Sequence, residues 1–262
     1  MKNVLLILVD SLRADRCVKN KGCDNSTFIN YLIKNGVTFS QAISTTSFTT
    51  PCVASILTGV YPFVHGVEWF CGNKLNPHNP TLAELLQKKN FSTCAMVTGP
   101  LAPSLGLNRG FDKYLYRDEN MTIFSRFRKN VENFIEKAKK PWFLFLHLWE
   151  LHYPIFLPKK LGKKYDLSLN KYDIAFSYLS NELMSVLHEI DLDKTIIILH
   201  SDHGEQLPGN FETILRNLLA FLRRNVNEGV WFLLQKKAYE LFPFLRAKQG
   251  HGYHLYEPLI RV

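Results

Sequence analysis

The chain has 262 residues, 46% hydrophobic and 21% charged, the balance of an ordinary globular protein large enough to bury a substantial core. Its formal charge of +9 favours anionic partners such as phosphate or sulfate esters and acidic lipid headgroups, while the lack of any DNA- or RNA-binding signature argues against nucleic acid. Five cysteines without CxxC spacing argue against a disulfide framework or a zinc knuckle, and no run approaches the ~18 apolar residues of a membrane span. Strand-like sequence begins at Asn3 with no charged leader or cleavage site before it, so the expected compartment is the cytoplasm.

In chain order, Val4 to Val9 is an unbroken apolar run that reads as a buried parallel strand ending at Asp10. Asp10 suits either a helix N-cap or a metal-binding carboxylate at a strand end. Residues 26–36 read as a helix opened by Thr27 and closed by Gly36, with Phe28, Tyr31, Leu32 and Ile33 on one face. In the stretch from Ser44 to Gly59, Pro51 suits the first turn of a helix and Gly59 its end. That places Thr49 or Thr50 at a helix N-terminus, as a capping threonine or beside a bound tetrahedral anion.

Thr81 to Asn90 reads as a helix, Ser92 to Val97 as a strand, Gly99 to Glu119 as a loop, and 122–139 as a basic amphipathic helix. Phe143 to Leu148 is a second unbroken strand, and His152 follows its end. His147 and His188 carry no functional reading, and His200 is read as facing along its strand. A helix over 171–190 leads into a fully buried strand at Thr195 to His200, which runs into Ser201-Asp202-His203-Gly204-Glu205. An adjacent carboxylate and imidazole at a strand end form half of a zinc or manganese site. Strands alternating with helices predict an α/β fold: a doubly wound, mostly parallel sheet with helices on both faces.

Between Glu205 and Gly250, residues Phe211, Ile214, Leu215, Leu218, Leu219, Leu222 and Val226 share one helical face, and a second helix is expected from Val230 to Phe242. This helical insertion at about 206–249 reads as a hairpin packed on the sheet or on a second copy in a homodimer. The competing reading is a lid or peripheral membrane contact through 211–242.

Asp10, Thr49, His152 and Asp202-His203 would converge on one sheet edge. With their flanking residues they resemble the sulfatase family of the alkaline phosphatase superfamily. The matching pieces are Asn3 to Asp15, Thr49-x-Pro51 with Thr58-Gly59, Tyr61-Pro62 with His65-Gly66, the stretch before His152-Tyr153-Pro154, Tyr172-Asp173 with Tyr178, Ser201 to Glu205, and Gly250-His251-Gly252 with Leu255 to Val262. They stand in the family's order along nearly the whole chain, which is therefore expected to be a single sulfatase-like α/β domain over 1–262.

The resemblance implies a metal-dependent hydrolase or transferase of sulfate or phosphate esters, acting on a sulfated or phosphorylated glycan, lipid or small molecule. Thr49 would be the nucleophile, and His152 would face the leaving group or the anion. Asp10, Asp202 and His203 would hold one divalent metal ion, zinc or manganese rather than calcium. Arg13 and His251 are further candidates for substrate contact or a second metal ion.

Four departures from the family pattern stand out. Sulfatases convert a cysteine or serine at the nucleophile position to formylglycine, reading a proline two residues on and an arginine four residues on. Here the position is Thr49, whose Cβ methyl blocks that conversion; Pro51 is present but the arginine position is Val53. Ser11 stands where the family has a second carboxylate, and Asp202-His203 replaces an Asp-Asn pair. The family usually continues beyond the position of Val262, so the C-terminal subdomain is expected to be short or missing. Loss of the second carboxylate, of the arginine and of the C-terminal piece motivates an alternative: a degenerate sulfatase fold that binds an anionic glycan or lipid without turnover.

Overall fold

The structure, a computed structural model, describes residues 1–18, 27–68, 73–153, 155–158, 170–205, 207 and 228–241. The strands are β1 (Asn3–Val9), β2 (Ser92–Val97), β3 (Lys113–Tyr116), β4 (Trp142–Leu148) and β5 (Thr195–His200). They form one parallel sheet in the order β3-β2-β4-β1-β5. The helices are α1 (Ala14–Val18), α2 (Thr27–Asn35), α3 (Thr49–Thr58), α4 (Pro62–His65), α5 (Leu82–Gln87), α6 (Phe127–Lys137), α7 (Lys171–Leu187) and α8 (Glu228–Leu241).

The unbroken apolar runs become central strands because both faces of the sheet are covered. On one face Leu5, Ile7 and Val9 of β1 and Leu144, Leu146 and Leu148 of β4 pack with α2, α6 and α7. On the other, Leu6 and Leu8 of β1 and Phe143 and Phe145 of β4 pack against Val53, Ala54 and Leu57 of α3. The expected doubly wound parallel sheet with helices on both faces is thus the observed one.

Local signals fix several boundaries. Gly59 ends α3 in the left-handed conformation, its N–H bonding Ser55 O at 2.8 Å. Thr81 and Glu84 form a reciprocal capping box, so α5 starts one residue after Thr81. The helix expected over 122–139 spans only Phe127–Lys137; Ile123 still reaches the core, its N–H bonded to Glu150 Oε1 at 2.6 Å.

Two expectations are corrected. The stretch Gly99 to Glu119, read as a loop, contains β3, a four-residue edge strand whose hydrogen bonds to β2 supply the order that its mostly exposed side chains do not. β5, read as fully buried, is the sheet edge among the described residues, and its Ile196 and Ile198 are 47% and 41% exposed. The stripe over 211–226 lies outside the described residues. α8 forms where the second insertion helix was expected, with Val230, Leu233 and Leu241 exposed. No helix among the described residues is long and apolar enough to cross a membrane.

The buried centre and the open edge differ in what they contribute. Truncating Phe145, packed on the α3 face, to alanine should cost about 3–5 kcal/mol in a denaturant-unfolding measurement. Ile198→Ser at the edge should cost less than about 1 kcal/mol.

Candidate metal centre

Three parallel strands place their carboxyl ends side by side, and the first residue of α3 meets them there. The Asp10 N–H bonds Leu148 O at 2.8 Å, joining the ends of β1 and β4. Asp10, Asp202 and His203 are fully buried, and one potential ligand atom from each lies within 4.8 Å of the other two. The Thr49 hydroxyl sits between them, 3.0 Å from Asp10 Oδ2 and 3.1 Å from His203 Nε2. His203 Nε2 is 3.3 Å from Asp202 Oδ2. Donor atoms held by one tetrahedral zinc at about 2.0–2.2 Å are separated by roughly 3.3–3.6 Å, and the Asp202–His203 pair stands at that separation with an Asp10 oxygen within 4.8 Å of both.

The imidazole is set for the role. His203 Nδ1 lies 2.9 Å from Gly204 O, and a carbonyl can only accept, so Nδ1 carries a proton and Nε2 is the ring nitrogen turned to the candidate centre. Burial alone would push the Asp10 carboxyl up. His147 beside it and the charges of His152 and His203 outweigh that and hold it well below the usual carboxylate range.

Hydrogen bonds from neighbouring loops orient the candidate ligands. Ser11 adopts a positive φ of 62°, an unfavourable conformation for a side-chain-bearing residue. In exchange its N–H bonds Asp202 Oδ1 at 3.2 Å and its hydroxyl bonds Asp10 Oδ1 at 2.8 Å. The same hydroxyl lies 3.2 Å from Glu205 Oε2. The residue that replaces a family carboxylate is thus a bridge among three carboxylates. Tyr172 of α7 clamps this turn, its OH donating to Ser11 O at 2.7 Å and accepting from the Arg13 N–H at 2.8 Å. Ser44 donates to the Asp202 carbonyl and contacts Cys52 Sγ, linking the ligand loop to α3.

The remaining candidates fall as follows. Thr50 turns away from the site, its hydroxyl 3.4 Å from Pro100 O, so the threonine brought to the carboxylates is Thr49. Asp10 caps no helix; its carboxylate is engaged by Thr49 and Ser11 instead. His152 lies half-buried on the loop after β4, stacked on Trp149 at 3.8 Å. Trp149 in turn lies against Gly99, where an added Cβ would come within 2.7 Å of the indole. Arg13 is bonded to the Asp15 carboxylate at 2.9 and 3.0 Å and to the Glu205 carbonyl at 2.6 Å, which ties the β1 loop to the β5 loop. His251 lies outside the described residues.

Sequence reasoning passed over His147, Glu205 and Ser44 as site residues. Only His147 carried a usable signal: it is in phase with Phe143 and Phe145, on the strand face shared with Asp10.

Comparison with known proteins gives consistent results. The family model described as Sulfatase matches residues 2–241. Among solved structures, the phosphonate monoester hydrolase of Agrobacterium radiobacter aligns with a TM-score of 0.62 and 17% identity over 78% of this chain and 63% of that one. The zinc complex of the C-terminal periplasmic domain of EcEptC from Escherichia coli gives 0.59 and 17% over 78% and 64%. A protein in the alkaline phosphatase superfamily from Vibrio parahaemolyticus gives 0.58 and 18% over 79% and 56%. At these identities the likeness establishes the fold, and the chain spans less than two thirds of the length of each. No curated protein matches the chain.

Two measurements check the centre. After zinc loading and desalting, elemental analysis should find metal in the Asp15→Asn protein, because Asp15 is spent on Arg13 and Arg16. Asp10→Asn and Asp202→Asn should each weaken metal binding by about 100-fold or more, beyond the 10–100-fold typical of outer-shell partners. Cys52 is pushed up to about 12, chiefly by burial, so in the native protein it should resist thiol alkylation at pH 8 when followed by mass spectrometry.

Proposed function

The chain belongs to the sulfatase family, and on that premise we propose that it hydrolyses or transfers phosphate esters in preference to sulfate esters, with Thr49 as the nucleophile. The observation that carries the reading is the Thr49 hydroxyl, held between Asp10 Oδ2 and His203 Nε2 at the first residue of α3. A divalent cation held by Asp10, Asp202 and His203 would offset the charge of the ester and make the Thr49 oxygen more acidic. The oxygen and imidazole donor set favours zinc or manganese over calcium.

In this mechanism Thr49 Oγ1 attacks phosphorus as its hydroxyl proton is released to solvent, while Asp10, held well below the usual carboxylate range, stays ionised 3.0 Å away. A Thr49 oxygen–phosphorus bond forms and the bond to the leaving alcohol breaks. The N-terminal end of the α3 dipole, at Thr49, would favour the developing charge on the equatorial oxygens. His152, oriented by its stack on Trp149, delivers a proton to the departing oxygen. Water or an acceptor alcohol, giving its proton back to His152, then displaces Thr49 from phosphorus, and the Thr49 oxygen takes a proton from solvent to regenerate the hydroxyl.

The preference for phosphate follows from the nucleophile. Formylglycine hydrate has a second hydroxyl that expels a covalent sulfate by elimination. Thr49 has one hydroxyl, so its adduct must be broken by displacement at the central atom, which suits a phosphoryl group with a cation to offset its charge. Cys52 does not offer another route, since its burial keeps the thiol protonated.

Turnover of aryl phosphate, phosphodiester and aryl sulfate substrates with zinc or manganese supplied tests the proposal. Thr49→Ala should lose activity to background, Thr49→Ser should keep part of it, and Thr50→Ala should retain it because that hydroxyl faces Pro100 O. Multiple-turnover sulfate hydrolysis exceeding every phosphate substrate would overturn the preference, and full activity in Thr49→Ala would remove the nucleophile.

A further inference from the structure

We propose that His147 is a positioning residue that holds the Asp10 carboxylate from beneath the metal centre; the inference rests on the reading of Asp10, Asp202 and His203 as that centre. The strand geometry sets the placement. Leu8 of β1 pairs with His147 of β4, and Leu8 lies on the same sheet face as Phe143, Phe145 and, two residues on, Asp10. His147 therefore stands diagonal to Asp10, one step further into the sheet. Its Nε2 is 3.5 Å from Asp10 Oδ2, and both side chains are fully buried. It is not one of the three residues whose ligand atoms cluster within 4.8 Å, so it acts on the carboxylate and not on the cation.

A purely structural role does not account for an imidazole here. The neighbouring positions on this face are Phe143 and Phe145, and an apolar side chain would fill the space with no polar atom to satisfy. The 3.5 Å separation is at the outer limit of a hydrogen bond, and among the described residues neither ring nitrogen has another hydrogen-bond partner. A buried donor left in that state weakens the fold unless something else requires it. The backbone and ring are nonetheless fixed: Arg117 Nη2 donates to the His147 carbonyl at 3.0 Å, and Trp149 meets the ring edge-on with centroids 5.9 Å apart. Outer-shell partners of ligating carboxylates set the orientation and basicity of the ligand.

The test uses full-length wild-type, His147→Leu and His147→Gln proteins, with zinc affinity measured by competition against a chromophoric chelator and thermal midpoints measured on the metal-free forms. His147→Leu should bind zinc roughly 10–100-fold more weakly while its metal-free midpoint stays at or above wild type. His147→Gln, whose amide N–H can reach Asp10, should recover most of the affinity. Unchanged affinity in His147→Leu would overturn the proposal, as would a glutamine variant no better than leucine or a fall in the metal-free midpoint with affinity preserved. If the wild-type protein itself takes up no zinc, manganese or cobalt, the metal centre fails and this inference falls with it.

Discussion

The structure turns on one small contact: a threonine hydroxyl within 3.1 Å of both a strand-end carboxylate and an imidazole nitrogen from a different strand end. Thr49 is separated by 39 residues from Asp10 and by 154 from His203, so nothing local brings them together. The parallel sheet does, by aligning the carboxyl ends of β1, β4 and β5. α3 delivers the threonine because Val53, Ala54 and Leu57 dock on Leu6, Leu8, Phe143 and Phe145. The loops are then pinned to each other by side chains. Ser201 Oγ accepts from the Leu12 N–H at 3.1 Å and lies 3.0 Å from Val9 O, Arg13 reaches the Glu205 carbonyl, and Ser44 reaches the Asp202 carbonyl. Side-chain bonds such as these hold a site to tolerances that backbone packing alone does not reach.

The departures from the family pattern acquire physical meaning in this setting. Val53, at the position of the family's arginine, has no exposed surface and is part of the core under α3. A guanidinium could not sit there without unpacking the helix that presents Thr49. Arg13 is committed to Asp15 and to a backbone carbonyl. On the proposed chemistry, charge neutralisation of the ester at the described part of the site therefore falls on the cation, the α3 N-terminus and His152. Ser11, at the position of the missing carboxylate, is a hydrogen-bond donor to two aspartates. On that chemistry, fewer anionic ligands would leave a bound divalent ion more electrophilic.

The strands ending in Asp10 and in Ser201-Asp202-His203 were legible in the sequence because unbroken β-branched and leucine runs followed by polar residues have few other solutions. Thr49 was legible only as one of two adjacent threonines. The choice depended on which way the first turn of α3 faces, and that is set by contacts with residues some 50 and 150 positions away. β3 escaped because four residues with mostly exposed side chains carry no periodic signal, and its order comes from hydrogen bonds to β2. The openness of β5 escaped for the opposite reason: an Ile-rich run reads as buried whether or not anything covers it. His147 read as bland because a lone histidine in a strand usually is. Its relation to Asp10 is a matter of register between two strands that composition does not record.

The charge of the site gives the last constraint. Asp10 and Asp202 are both without solvent exposure, and taking an ionised carboxylate out of water costs several kcal/mol even after relaxation. Hydrogen bonds offset part of this: Asp202 Oδ1 accepts from the Ser11 and His203 N–H groups, and Asp10 accepts from Ser11 and Thr49 hydroxyls. Those donors are neutral dipoles and leave the net charge in place. On the proposed reading, a divalent cation held by Asp10, Asp202 and His203 would supply the charge that two carboxylates require. Binding of that ion and stability of the folded chain are then one linked equilibrium, since the unfolded chain does not assemble these three ligands. On the proposed reading, the geometry that would make Thr49 reactive is the same geometry that would make the metal-free fold the less favourable state.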